Sequence, residues 1–217
     1  GTDGNLITFD ASGNPAYVAT GNDGQVLTSA GAGQPCLFED AGGGGAWTLI
    51  GTAVASNSAS LTITGLNSTY DTFAIAISDT TPASDDGTAW LRLGDSSGID
   101  SGGSDYRHKG SAHKSDTDAY QGRYSNGTSQ MELGDTIGTA SGDGFSGMFY
   151  LNRPGDAVTY PMVTGQATSY RATSNRLLTH NFGGMRNSVI VVDRVQFLFS
   201  NSNIEQGRMT VWGIAHA

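Results

Sequence analysis

Beyond residue 46 the chain alternates apolar and polar residues in short runs with a period of two, the pattern of half-buried strands. Residues 47–54 read as a strand that opens on Trp47. Residues 60–64 (SLTIT) alternate cleanly and end at the turn Gly65-Leu66-Asn67, and 70–78 (YDTFAIAIS) put Phe73, Ile75 and Ile77 on one face. In 89–93, Ala89, Leu91 and Leu93 share one face, with Trp90 and Arg92 on the other. Further strands are expected at 119–124, 129–133, 145–151, 158–163, 166–170, 176–182 and 207–214. The most apolar stretch is 188–200 (SVIVVDRVQFLFS), where Asp193-Arg194 implies two short segments or one bent strand. Residues 94–118 have no strong pattern and read as a long polar loop, a kind of segment that tends to carry function. The expected core is Trp47, Leu61, Ile63, Phe73, Ile75, Ile77, Leu91, Leu93, Phe149, Val195, Phe197, Phe199, Val211 and Ile214. Short strands separated by Ser, Thr, Asn, Asp and Gly predict an all-β antiparallel sandwich, jelly-roll-like, with no helix required.

The first forty residues follow a different rule. GTDGNLITFDASGNPAYVAT and GNDGQVLTSAGAGQPCLFED repeat Gly1/Gly21, Asp3/Asp23, Gly4/Gly24, Thr8/Thr28, Gly13/Gly33 and Pro15/Pro35 at a spacing of 20. Apolar pairs recur between them, Leu6-Ile7 over Val26-Leu27. A fixed period of this length marks stacked supersecondary units, each a turn, a strand, a Gly/Pro turn and a strand. Two such units bury almost nothing alone, so their apolar residues must meet another chain. The sequence therefore predicts an oligomerising stalk at 1–40, a Gly-rich hinge at 41–46, where no regular element can form, and a β-sandwich head at 47–217.

Composition narrows the partners. Hydrophobic residues are 37% and glycines number 32, as turn-rich β-proteins require. A net charge of -9 opposes direct binding to nucleic acid or to an anionic membrane surface. Cys36 is the single cysteine, so no disulfide framework or thiolate metal site is available. No apolar run reaches transmembrane length, so no membrane insertion is expected. The chain begins inside a repeat, and a longer parent protein is the expectation.

The order of these parts resembles a known family. A Trp-containing opening strand, an alternating strand ending in Gly-Leu, and Tyr-Asp-x-Phe opening the next strand come first. Thr-Thr-Pro-Ala-Ser-Asp-Asp-Gly before an Arg-bearing strand and a terminal Gly-Arg-Met-Thr-Val-Trp-Gly-Ile follow. Together they resemble the C-terminal β-sandwich of bacteriophage fibre proteins. Residues 19–40 are similar to the Gly-Asp-Gly-Gln-Val-Leu-Thr segment that often precedes such tips. The resemblance implies a homotrimeric virion fibre, attached to other virion proteins through a further N-terminal part, whose distal domain contacts a host-surface glycan or protein. The same architecture would serve a capsid head fibre or decoration protein, or a cellular adhesin or filament subunit.

Several constellations carry possible chemistry. Asp95, Asp100 and Asp105 sit in a Ser/Gly-rich stretch with Asp85 and Asp86 upstream, and oxygen-rich loops can hold calcium. Their spacing fits no EF-hand, and a solvated acidic loop is the simpler reading. His108 and His113 belong to the basic run 107–114 and could ligate a metal if three chains met on an axis. No nucleophile elbow is present and the lone cysteine lies in the stalk, so catalysis and a cofactor are not expected. Aromatic faces beside Arg, Asn and Asp can stack on sugar rings and bind their hydroxyls. On that ground Tyr106, Arg107, His108, Tyr120, Arg123, Tyr124, Tyr170 and Arg171 form the expected receptor-contact set, the alternative for each being packing at a strand edge or subunit interface.

Overall fold

The computed structural model describes residues 4–10, 12–40, 46–117, 119–152, 154–155 and 157–215, and nothing of the Thr136 side chain. The repeat positions Gly1 and Asp3 and all of the expected hinge except Ala46 lie outside them. The chain divides into two compact units, Gly1–Gly45 and Ala46–Ala217.

The first unit is a pair of antiparallel hairpins. Strands β1 (Leu6–Phe9) and β2 (Pro15–Val18) pair in one, and β3 (Gln25–Thr28) and β4 (Leu37–Asp40) in the other. The repeated glycines share one backbone geometry. Gly4 and Gly24 both have φ of +87°, and Gly13 and Gly33 have +81° and +77°, values at which a side chain would be strained. In the first turn the Asp10 carboxylate accepts the N–H groups of Ser12 and Asn14, both at 2.9 Å. The copies differ in register by one residue. Leu6 faces Val18 in the first, whereas Val26, its equivalent, faces Glu39 rather than Phe38. Of the described residues in this unit only Val18 is buried, and Ile7, Phe9 and Tyr17 are 74%, 64% and 61% exposed.

The second unit is a β-sandwich. Its strands are β5 (Trp47–Val54), β6 (Leu61–Thr64), β7 (Thr72–Pro82), β8 (Gly87–Asp95), β9 (Gly98–Ile99), β10 (Tyr106–Lys114) and β11 (Tyr120–Thr128). The chain continues through β12 (Met131–Ile137), β13 (Gly144–Asn152), β14 (Met162–Arg171), β15 (Arg176–Arg186), β16 (Arg194–Phe199) and β17 (Ile204–Ile214), with one 3-10 turn at Ala172–Ser174. One sheet has the order β11-β10-β15-β14-β13-β7-β17-β5, the other β12-β8-β16-β6 with β9 beside β8, and every pairing is antiparallel.

The alternating residues of both sheets meet in one core. Phe145 of β13 stacks on Phe197 of β16 with centroids 6.2 Å apart, and Phe197 meets Phe199 edge-on at 5.4 Å. Phe149 of β13 and Phe182 of β15 join them at 6.1 Å. Each ring so buried contributes about 2–3 kcal/mol of hydrophobic free energy. All the expected core residues are buried except Trp47, 42% exposed on the opening strand, and Ile214, half-buried near the chain's end.

Three expectations for the head need correction. Residues 106–114, read as part of a long loop, form β10, an interior strand of the larger sheet. Its inward positions hold Tyr106, His108, Gly110 and Ala112 rather than aliphatic residues, which hides the alternation. In place of the two strands expected at 158–163 and 166–170 there is one, β14 (Met162–Arg171), and 158–161 lie in no strand. The apolar segment 188–193 makes no strand: Val192 plugs the core with its N–H on the Pro154 carbonyl at 2.7 Å, and only 194–199 pair as β16.

Candidate ligand-binding face

The larger sheet presents one outward face whose residues follow directly from register. Leu49, Trp212, Ala74, Tyr150, Thr164, Gly183, Lys109 and Tyr124 face one another in turn across all eight strands. At about 4.8 Å per strand this row runs on the order of 34 Å. A neighbouring row holds Asn152, Met162, Met185 and Arg107.

The two ends of this face differ. Near β5, Trp47 packs on Trp212 at 5.9 Å and edge-on to Tyr150 at 6.4 Å, and Ala74 between Trp212 and Tyr150 is fully buried. Toward β11 the face opens into a groove of about 380 Å³ over β10, β14 and β15. The groove exists because the row passes through a glycine. Between Thr164 and Lys109 stands Gly183, and a Cβ there would find only the Lys109 carbonyl oxygen, 3.9 Å away. Met162 and Met185 give it an apolar floor, and Arg107, Lys109 and Asn126 a polar rim.

The structure sorts the expected receptor contacts into three groups. Arg107, Tyr120 and Tyr124 are exposed on the outward side, Tyr124 at 79%. Tyr106 and His108 point inward and are buried, which removes both from a receptor surface. The Tyr106 hydroxyl bonds the backbone of Leu93, and burial pushes its pKa up. Arg123 also turns inward, pairing with Glu132 at 3.5 Å and with Asp135, both on β12 of the other sheet. His108 lies 3.9 Å from Glu132, and burial pushes its pKa down. Tyr170 and Arg171 sit at the other end of the strands. Tyr170 donates to Asn175 at 3.0 Å and so holds the turn after β14, and Arg171 pairs with Asp86 in the connection before β8.

The other candidates are engaged elsewhere. Asp100 and Asp105 converge on Arg186, at 2.7 and 3.3 Å, and Asp95 closes a turn by accepting the Ser97 N–H at 2.8 Å. His108 and His113, five apart on one strand, face opposite sides of the sheet and cannot share a metal within one chain. Among the described residues no group of three His, Cys, Asp or Glu gathers as metal ligands. One further pair is invisible to local spacing: Ser169 and His180 stand on adjacent strands with Oγ and Nε2 3.0 Å apart. Both residues are 3% exposed, so the pair is a core hydrogen bond.

Sequence reasoning missed the groove residues Met162, Thr164, Gly183 and Met185. The available signal was the alternation of Arg107 and Lys109, legible only once 106–114 is taken as a strand. Set against known protein families, curated proteins and solved structures, the chain matches none of them.

Proposed function

We propose that this chain is the distal part of a homotrimeric virion fibre of the tail-fibre kind. Its hairpin pair builds the stalk, and its sandwich is a non-catalytic head that attaches to a host-surface glycan or protein. The observation that carries this reading is the first unit's lack of a core of its own. A two-stranded hairpin is marginal in water, yet both hairpins expose apolar side chains, with Ile7, Phe9 and Tyr17 above 60%. Copies of the same hairpins satisfy such faces, because a repeat that cannot bury its apolar residues alone does so by association. The head has an independent core and a broad outward face bearing aromatic residues and two cations, features that suit adhesion. The virion attribution rests on the resemblance of the strand order and of residues 19–40.

Light scattering on the full chain and on a version beginning at Ala46 tests the reading. The expected result is a trimer that becomes a folded monomer when the hairpins are removed. A monomeric full chain overturns the fibre reading, and a trimer in both versions moves the assembly interface into the head.

A further inference from the structure

We infer that the groove over Gly183 is a subsite for a carboxylated sugar ring. Arg107 and Lys109 hold the carboxylate, and Met162 and Met185 support the ring's carbon face. This rests on the reading of the sandwich as a receptor-binding head and narrows the receptor to anionic glycans.

Charge is the first argument. The chain carries a net charge of -9, and most of its arginines are committed to carboxylates. Arg123 pairs with Glu132 and Asp135, Arg171 with Asp86, Arg176 with Asp116, Arg186 with Asp100 and Asp105, and Arg194 with Asp193. Arg107 and Lys109 meet no carboxylate among the described residues. They stand two residues apart on the outward side of β10, about 6–7 Å between backbones. The Arg107 Nε–H donates to the Asn126 carbonyl at 3.2 Å, which orients the guanidinium and leaves its terminal nitrogens for a ligand. Two unneutralised cations at one groove of an acidic protein are complementary to an anion.

Shape and lining are the second argument. The volume of about 380 Å³ lies near the lower end of the roughly 300–1,000 Å³ typical of small-molecule sites. A sugar ring presents C–H groups on its faces and hydroxyls at its rim. The methionine floor matches the first, and Asn126 and Thr164 match the second. An extended peptide is a poorer match, because β10, β14 and β15 beneath the groove are each paired on both sides, and the one free edge nearby, that of β11, would seat a strand beside the groove rather than in it.

The test uses the full chain and titration calorimetry or saturation-transfer NMR. The probes are the methyl glycosides of glucuronic, galacturonic and N-acetylneuraminic acid, with methyl glucoside and methyl galactoside as neutral counterparts. At least one acidic sugar should bind in the millimolar range, and its neutral counterpart about tenfold more weakly or worse, the worth of a charge-assisted hydrogen bond. The Arg107→Ala/Lys109→Ala double variant should lose that binding. Gly183→Val should lose it with the charges intact, since its Cβ makes only an ordinary contact with the Lys109 carbonyl oxygen and its methyl groups enter the groove, and neither variant should lower the melting temperature. Equal binding of neutral and acidic sugars, no saturable binding of any acidic sugar, or acid binding that survives Gly183→Val overturns the inference. So does capture of a poly-glutamate peptide, with no sugar bound, that the same variants abolish; the groove then belongs to a protein ligand. Unchanged binding of both variants to an array of bacterial surface polysaccharides overturns the subsite and leaves the head's receptor role standing. If the parent chain binds neither the array nor intact bacteria, the receptor role itself fails.

Discussion

The hydroxyl of Tyr106, on β10 of the larger sheet, meets both backbone polar groups of Leu93, on β8 of the smaller one. It accepts the Leu93 N–H at 2.8 Å and lies 2.8 Å from the Leu93 carbonyl, with the Asp100 carbonyl at 3.0 Å as its other acceptor. The ring is fully buried, and Arg186 lies over it with its guanidinium 5.7 Å from the centroid. One side chain thus ties the two sheets together beneath the strand whose outward side carries the groove.

Tyr106→Phe keeps the ring but leaves the buried Leu93 N–H without its acceptor, while the Leu93 carbonyl keeps the Asp100 N–H at 3.0 Å, so it should cost about 1–3 kcal/mol. Urea denaturation measures this. A change below half a kilocalorie would show that water replaces the hydroxyl.

Arg186 holds Asp100 and Asp105 together and is itself nearly buried. Arg186→Met leaves two carboxylates without their cation and should destabilise the head by about 2–4 kcal/mol, whereas Asp105→Asn should cost less. Millimolar calcium should leave the parent protein's melting temperature unchanged. A rise on adding calcium would mean that these aspartates release Arg186 for a metal.

Burial pushes His180 down to about 4, and the positive charge of Arg123 adds to the effect. The folded state therefore keeps this histidine neutral while the unfolded chain protonates it near its ordinary value of 6.5. Its contribution to stability is complete above pH 6.5, declines as pH falls from 6.5 toward 4, and levels off below that. The loss between pH 6.5 and 5 should be about 2 kcal/mol. His108, also lowered by burial, acts in the same direction. An NMR titration in which the His180 ring shifts near pH 6.5 would contradict this.

Gly207 has φ of +107° at an irregularity in β17, and a Cβ there would stand 2.6 Å from the Thr80 Cα and 2.7 Å from the Asp79 carbonyl. Gly207→Ala should cost about 2–4 kcal/mol. Gly142→Ala, at φ +94° with open space around it, should cost about 1 kcal/mol. Melting curves of the two variants compare them directly, and equal costs would mean that β17 shifts to make room.

Period-two alternation made the sandwich legible wherever inward positions are aliphatic or aromatic, as at Phe73, Ile75 and Ile77. It failed at β10, where the inward residues are Tyr106, His108, Gly110 and Ala112. Alternation is visible only when its buried phase is apolar, and here polar atoms are buried against Leu93, Glu132 and Arg123. The segment 188–193 misled in the opposite way, since apolar residues can plug a core without pairing.

The sequence alone determined the fold class and the repeat, because both depend on local spacing: strands on a period of two, turns on glycines at fixed places. It also determined the net charge, which is a sum over residues. Only the tertiary structure decided which of the candidate residues face outward, because a strand's two faces are assigned by the sheet packed against it. The groove was likewise decided there. Lys109, Gly183 and Thr164 come from three strands, and they become neighbours through register, a long-range pairing that no local spacing encodes.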